Sequence, residues 1–257
     1  MGSVRRFTAC LIISAAVLWP MAASAHELIL KPTLINGTAG SNLDFAVLSS
    51  HVFMASQEME VPEDIRAGIA FDGRRTSVAV RPDEGSLSYL GRATAPSSKP
   101  FFLTATRMPQ IWASTANGTK QATKRTPGAS NAYKIDKFAK TLINAAPDAT
   151  GHDAVLGDPL EIVLVTNPAR VKTGDEVTIK VLAGGKPIAT TVSATYDGYS
   201  AKQDTYAVTT QSGVDGTAVV KITQAGLWMV RVQNAVAEVT DEYDRHVTRA
   251  VTVFAVK

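Results

Sequence analysis

Apolar and polar residues alternate through most of the second half of this chain. Across residues 176–182 the order Glu-Val-Thr-Ile-Lys-Val-Leu places Val177, Ile179 and Val181 on one side. That is the period of two expected of a half-buried strand. Val219, Ile222, the run Leu227-Trp228-Met229-Val230-Arg231-Val232 and residues 247–256 behave in the same way. Gly184-Gly185 and Asp215-Gly216 provide turns between them. Short strands separated by Gly, Pro, Asn and Asp at spacings of about ten residues predict a β-sandwich over residues 158–257.

The first half alternates less clearly. Strands are predicted over residues 28–30, 43–48, 67–71, 77–80 and 101–106, with Gly37, Gly40, Gly73 and Gly85 at the turns. Residues 113–131 are rich in Thr, Ala, Gly, Asn and Lys and read as a long surface loop. Over 133–143 the period changes. Tyr133, Lys137, Lys140 and Thr141 can share one side of a helix, and Ile135, Phe138, Ala139 and Leu142 another. One amphipathic helix is therefore expected here. The polar stretch 147–159 marks a boundary, which gives an all-β fold class with little helix. Two β-sandwich-like domains are expected, over residues 26–157 and 158–257.

The chain opens on an export pattern. Arg5 and Arg6 precede an apolar run over residues 7–18, and Ala23-Ser24-Ala25 is a small-residue cleavage site. The apolar run is shorter than the ~20 residues that a membrane span needs. Residues 1–25 are thus expected to be a signal peptide, cut after Ala25. Cys10 is the only cysteine and lies inside that leader. The mature chain would then have no thiolate nucleophile, no disulfide and no Cys-rich metal site. Loss of Arg5 and Arg6 from 26 basic residues leaves them nearly balanced against 23 acidic ones. Such a balance does not favour nucleic acid or an anionic membrane as partner.

Cleavage after Ala25 would make His26 the first residue. An N-terminal histidine carries two nitrogen donors, an α-amine titrating near ~7.7–8.0 and an imidazole near ~6.5. Together they can close a chelate ring on a metal ion, and neither is costly to deprotonate at neutral pH. There are four histidines, at positions 26, 51, 152 and 246. His51 ends the predicted strand 43–48, and His246 opens the last strand beside Glu242 and Asp244, carboxylates that could ligate or orient its ring. His152 falls in the polar connection. Three imidazoles and an amine suit copper(II), nickel(II), cobalt(II) or zinc(II). Alternatively, His51 and His246 are hydrogen-bonded structural residues. Met54 and Met59, with Gln57, Glu58 and Glu60 around them, offer softer ligands for copper(I) or serve as core filler.

Enzyme signatures are thin. Ser49-Ser50-His51 lacks the glycines of a nucleophile elbow, and there is no phosphate loop and no H-E-x-x-H helix. The chain is read as a non-enzyme.

Several segments resemble a known family. They are His26-Glu27-Leu28-Ile29-Leu30-Lys31-Pro32, Ser50-His51-Val52-Phe53-Met54, residues 133–142, 160–168 and 226–232, and the stretch 243–250 containing Asp244 and His246. In this order they are similar to exported bacterial proteins of the DUF4198 family, often described as NikM-like periplasmic components of nickel or cobalt uptake. The resemblance implies a periplasmic, metal-associated β-sandwich whose mature chain begins with histidine. It singles out His26, His51 and His246. The turns Gly184-Gly185-Lys186-Pro187 and Asp215-Gly216-Thr217-Ala218 look like those of immunoglobulin- or transthyretin-like modules, so the C-terminal domain is expected to be of that kind.

The leading expectation is a periplasmic protein that captures a divalent transition metal, nickel or cobalt, for a membrane transporter. His26, His51 and His246 would be ligands and Asp244 would orient a ring. Membrane contact would come only through that partner. Two rivals stand beside it: a copper protein with a histidine-brace-like site, zinc being a further candidate ion, and a structural or docking β-sandwich that binds no metal.

Overall fold

The computed structural model describes residues 26–257. The expected leader, with Cys10 and the cleavage site, lies outside the described residues. The chain forms β1 (Glu27–Pro32), β2 (Asn42–Ser50), β3 (Ile65–Phe71), β4 (Arg74–Val78), β5 (Val80–Asp83), β6 (Ser88–Thr94), β7 (Phe101–Thr115), β8 (Gly118–Gln121) and β9 (Ser130–Ile143). It continues through β10 (Leu160–Leu164), β11 (Glu176–Ala183), β12 (Lys186–Pro187), β13 (Thr191–Tyr196), β14 (Val208–Gln211), β15 (Thr217–Lys221), β16 (Gly226–Ala237) and β17 (Arg245–Val256). Among the described residues, helix is confined to two 3-10 turns, Pro62–Asp64 and Pro168–Arg170. The molecule is all-β.

Three sheets organise these strands. A nine-stranded sheet runs β14-β13-β16-β17-β9-β7-β3-β4, with β8 paired to β7. One four-stranded sheet runs β1-β2-β6-β5; the other runs β10-β11-β12, with β15 also on β11. Alternation along the central strands explains the layering. Phe101 and Leu103 enter one core with Leu28, Leu30, Phe45 and Val253, while Phe102 between them enters another with Ile162, Ile179, Trp228 and Phe254. Each four-stranded sheet therefore covers one side of the central sheet. The expected boundary at 147–159 does separate β9 from β10. Even so, the central sheet takes strands from both sides of it, and β17 pairs in parallel with β9.

Two local expectations are overturned. The segment predicted as a helix over 133–143 is strand β9. It lies between two cores, so both of its sides are buried and the period of two is hidden. Lys137 reaches Glu60 on one side and Lys140 reaches Glu161 on the other, at 2.6 and 2.7 Å. Their spacing imitates a helical stripe. The loop expected over 113–131 is likewise shorter: β7 continues to Thr115 and turns back through β8, which pairs from Trp112↔Gln121 to Thr115↔Gly118.

Candidate functional site

The first two strands form an antiparallel ladder whose end pair is Glu27↔Ser50. One further step in that register sets His26 opposite His51. The two rings meet with centroids 4.1 Å apart and planes tilted by 43°. The strand register thus points two histidines that are distant in sequence at each other, just beyond the last paired residues.

Two carboxylates address these rings. After His51 the chain makes a tight turn, with Met54 in the left-handed region at φ 70° and the Ala55 N–H donating to the Val52 carbonyl over 3.1 Å. It then folds back along β2. The His51 N–H donates to Gln57 Oε1 at 2.7 Å, and an isolated bridge aligns Glu58 with Ser49. Glu58 Oε1 consequently lies 2.8 Å from His26 Nδ1. This hydrogen bond holds the Glu58 carboxyl below the usual glutamate range. The second carboxylate comes from the loop between β13 and β14. The Asp204 N–H donates to the His51 carbonyl, and its Oδ1 lies 3.1 Å from His51 Nδ1.

Beneath the histidines is a layer of buried charge. Glu27 is 3% exposed and meets Arg231 Nη2 at 2.7 Å and Arg249 Nη1 at 3.1 Å. Burial by itself would raise its carboxyl, but the charges of Arg249 and Arg231 outweigh that and hold it below the ordinary range. Ser49 Oγ stands between Glu58 and Glu60, at 3.3 and 2.9 Å from their Oε1 atoms. Glu60 in turn pairs with Lys137. Burial drives the Lys137 ammonium downward against the pull of Glu60.

The structure brings together two of the four expected site residues. His26 and His51 touch; His246 and Asp244 are elsewhere. On β17 the residues Val251 and Val253 enter the first core, whereas Ala250 and Phe254 enter the second. Arg249, which reaches Glu27, shares the first set's side, and His246 falls on the opposite one. It lies three residues before Arg249, roughly 10 Å of strand. There its Nε2 is 2.5 Å from Asp136 Oδ1 and its Nδ1 is 3.3 Å from Glu238 Oε2. Asp244 pairs with Lys124 at 2.8 Å. Met54 is buried in the first core and Met59 packs against it, so both act as filler. Among the described residues, no three His, Cys, Asp or Glu side chains are grouped as a metal-holding set.

A family model matches residues 23–236, and its description is a domain of unknown function, DUF4198. The chain belongs to the DUF4198 family. No curated protein matches it. Solved structures similar to this DUF4198 chain include the D0-D1 domain of intimin, at 10% identity and a TM-score of 0.21 over 90% of this chain and 99% of that one. Another is CfaE, the adhesive subunit of the CFA/I fimbria of enterotoxigenic Escherichia coli, at 8% identity and a TM-score of 0.14 over 91% and 87% of the two chains. Neither carries an argument about the site.

Glu58 and Asp204 are the residues that sequence reasoning passed over. Glu58 has a weak signal, being a carboxylate a few positions beyond His51. Asp204 has none, because only the fold brings a loop 153 positions away onto His51.

Proposed function

We propose that this protein is a periplasmic carrier of a divalent transition metal, nickel or cobalt foremost, which it delivers to a membrane transporter. The observation that carries the reading is the His26–His51 contact, with a carboxylate at the Nδ1 of each ring. For His51 the carboxylate takes the ring nitrogen that would not ligate, the arrangement that fixes the tautomer and raises the basicity of a metal-binding imidazole. Glu58 instead occupies the nitrogen of His26 that would close the chelate. Nitrogen donors of this type suit nickel, cobalt, copper and zinc, and suit calcium or magnesium poorly.

Two imidazoles alone are an incomplete donor set, and cleavage after Ala25 would add the α-amine of His26. The amine and the Nδ1 of that residue then close a chelate, with Glu58 exchanging from that nitrogen to a place beside the ion. His51 contributes through its Nε2, its Nδ1 proton being held by Asp204. The cargo can be released from the His26 side, where that ring is partly accessible and Glu58 lies at the surface, while the His51 side chain is only 6% exposed.

A second reading follows from the place of His246. Its absence from the set leaves two imidazoles and one amine, the donor count of a histidine brace, and favours copper as the rival ion. Calorimetric titration of the chain beginning at His26 with nickel, cobalt, copper and zinc tests both. We expect one equivalent to bind, and an added alanine before His26 to weaken binding on the order of a hundredfold through loss of the chelate. Competition among the ions and EPR of the copper form decide between nickel or cobalt and copper. No heat with any of the four metals, or equal binding by the extended form, overturns the proposal.

A further inference from the structure

β1 is an edge strand of six residues, and His26 stands at its very start, where a chain ordinarily frays. Its ladder to β2 ends at Glu27↔Ser50, so no strand pairing holds His26 itself. The next residue, however, is tied into the centre of the molecule. Glu27 crosses to Arg231 on β16 and Arg249 on β17, both in the nine-stranded central sheet, Arg249 being 222 positions away. Arg249 is braced in turn by Gln233, whose Oε1 accepts from its Nε at 2.9 Å.

Arg231 also faces the other histidine's support. Its guanidinium carbon is 5.9 Å from the centre of the Tyr206 ring, and Tyr206 is two residues beyond Asp204, the partner of His51. A single arginine therefore touches both the strand that carries His26 and the loop that carries Asp204. We infer that Glu27 and Arg231 form a positioning pair that holds His26 and His51 in ring contact before any ligand arrives.

Stability alone is a poor reason for such a pair. A buried ion pair is often no more stabilising than apolar side chains of the same volume, because taking both charges out of water offsets their attraction. What the pair adds is direction. A leucine at position 27 could fill the space in several rotamers, whereas a carboxylate shared by two guanidinium groups has one satisfactory orientation. Glu27 Oε2 makes no hydrogen bond among the described residues, so its pairing runs through Oε1, which both arginines meet, with the charge of Lys137 adding to theirs. Preorganisation of this kind saves a ligand the cost of ordering its own site.

The inference rests on His26 and His51 being the metal donors, yet it can be tested without metal. In the metal-free chain beginning at His26, NMR should show a nuclear Overhauser contact between the two rings. Glu27→Gln, Glu27→Leu and Arg231→Gln should each lose it. Nickel affinity should fall by about tenfold in each variant, in the range found when groups behind metal ligands are removed. The decisive variant is Glu27→Leu combined with Arg231→Met, since it replaces the pair by apolar side chains, whereas Glu27→Leu alone leaves Arg231 buried without its carboxylate. If the folded double variant keeps the ring contact, the positioning role is overturned. If the unmodified chain binds no nickel but loses the ring contact in the variants, the pairing stands and the metal reading fails.

Discussion

Which side of a strand a residue occupies decides more about it than its type. His246 has the chemistry of a ligand and an acidic neighbourhood in the sequence, but alternation on β17 turns it away from His26. Both of its nitrogens face carboxylate oxygens, and Asp136, only 5% exposed, also accepts from Thr248. We expect His246→Ala to leave metal affinity unchanged and to lower stability by about 1–3 kcal/mol, because the partner it abandons stays buried. Calorimetry and denaturant melts on the same preparation separate the two effects. Tyr206 gives a second prediction at this scale. Burial pushes its hydroxyl up to about 12 from an ordinary 10, against the opposing charge of Arg231. A group whose folded value is raised contributes stability that is complete below its unfolded value and lost above it. The contribution should therefore be intact below pH 10 and disappear as pH rises toward 12. Unfolding free energy measured across that interval should fall more steeply for the native chain than for Tyr206→Phe, and equal slopes would contradict the burial.

Among the elements, legibility followed exposure. β11 and β17 could be read directly, since β11 has a polar outer side and β17 a strong run of β-branched residues. β9 could not, because it has no outer side. Its apolar positions serve two cores, and its two buried lysines are neutralised by partners that the local sequence does not contain. β7 was read only as far as residue 106 for a different reason. Its register against β9 shifts between Arg107 and Gln110, and Pro109 there has no N–H to give to a ladder, which makes a bulge the natural place for it. That His26 and His51 share a site is expected from their donor chemistry and the family resemblance, but their ring contact is not legible, since it depends on the β1–β2 register. Lys140 offers a test of the two-sided burial of β9. Glu161 accepts from Lys140 and from the amides of Leu156 and Gly157, tying the connection before β10 to the central sheet. Lys140→Met should cost about 3–5 kcal/mol by leaving a buried carboxylate without its cation. Adding Glu161→Gln should restore part of that loss, because no unpaired charge remains and the glutamine oxygen still accepts from one of the two amides. A small effect in urea melts of the single variant would contradict the buried pair.

For the molecule as a whole, the central sheet makes a division at residues 157 and 158 costly. β17 feeds Val251 and Val253 into one core and Ala250 and Phe254 into the other, and its parallel ladder to β9 runs from Arg245↔Tyr133 to Val253↔Thr141. A fragment ending before β10 would lose β17, β16, β13 and β14 from its sheet and expose the edge of β9. The complementary fragment would expose the side of β17 that now lies under β1. Neither has a core closed on all sides. We therefore expect the chain beginning at His26 to unfold in one calorimetric transition, and fragments 26–157 and 158–257 to give no cooperative melt when made separately. The candidate site follows the same division, with His26, His51 and Glu58 from one fragment and Asp204, Arg231 and Arg249 from the other. A ligand that binds only the assembled site stabilises whatever unit must unfold to destroy it. Saturating nickel should accordingly shift the entire transition upward as one peak. Two separable peaks, with only the earlier one moved by the metal, would mean that the halves fold independently and that the charged layer beneath the histidines does not couple them.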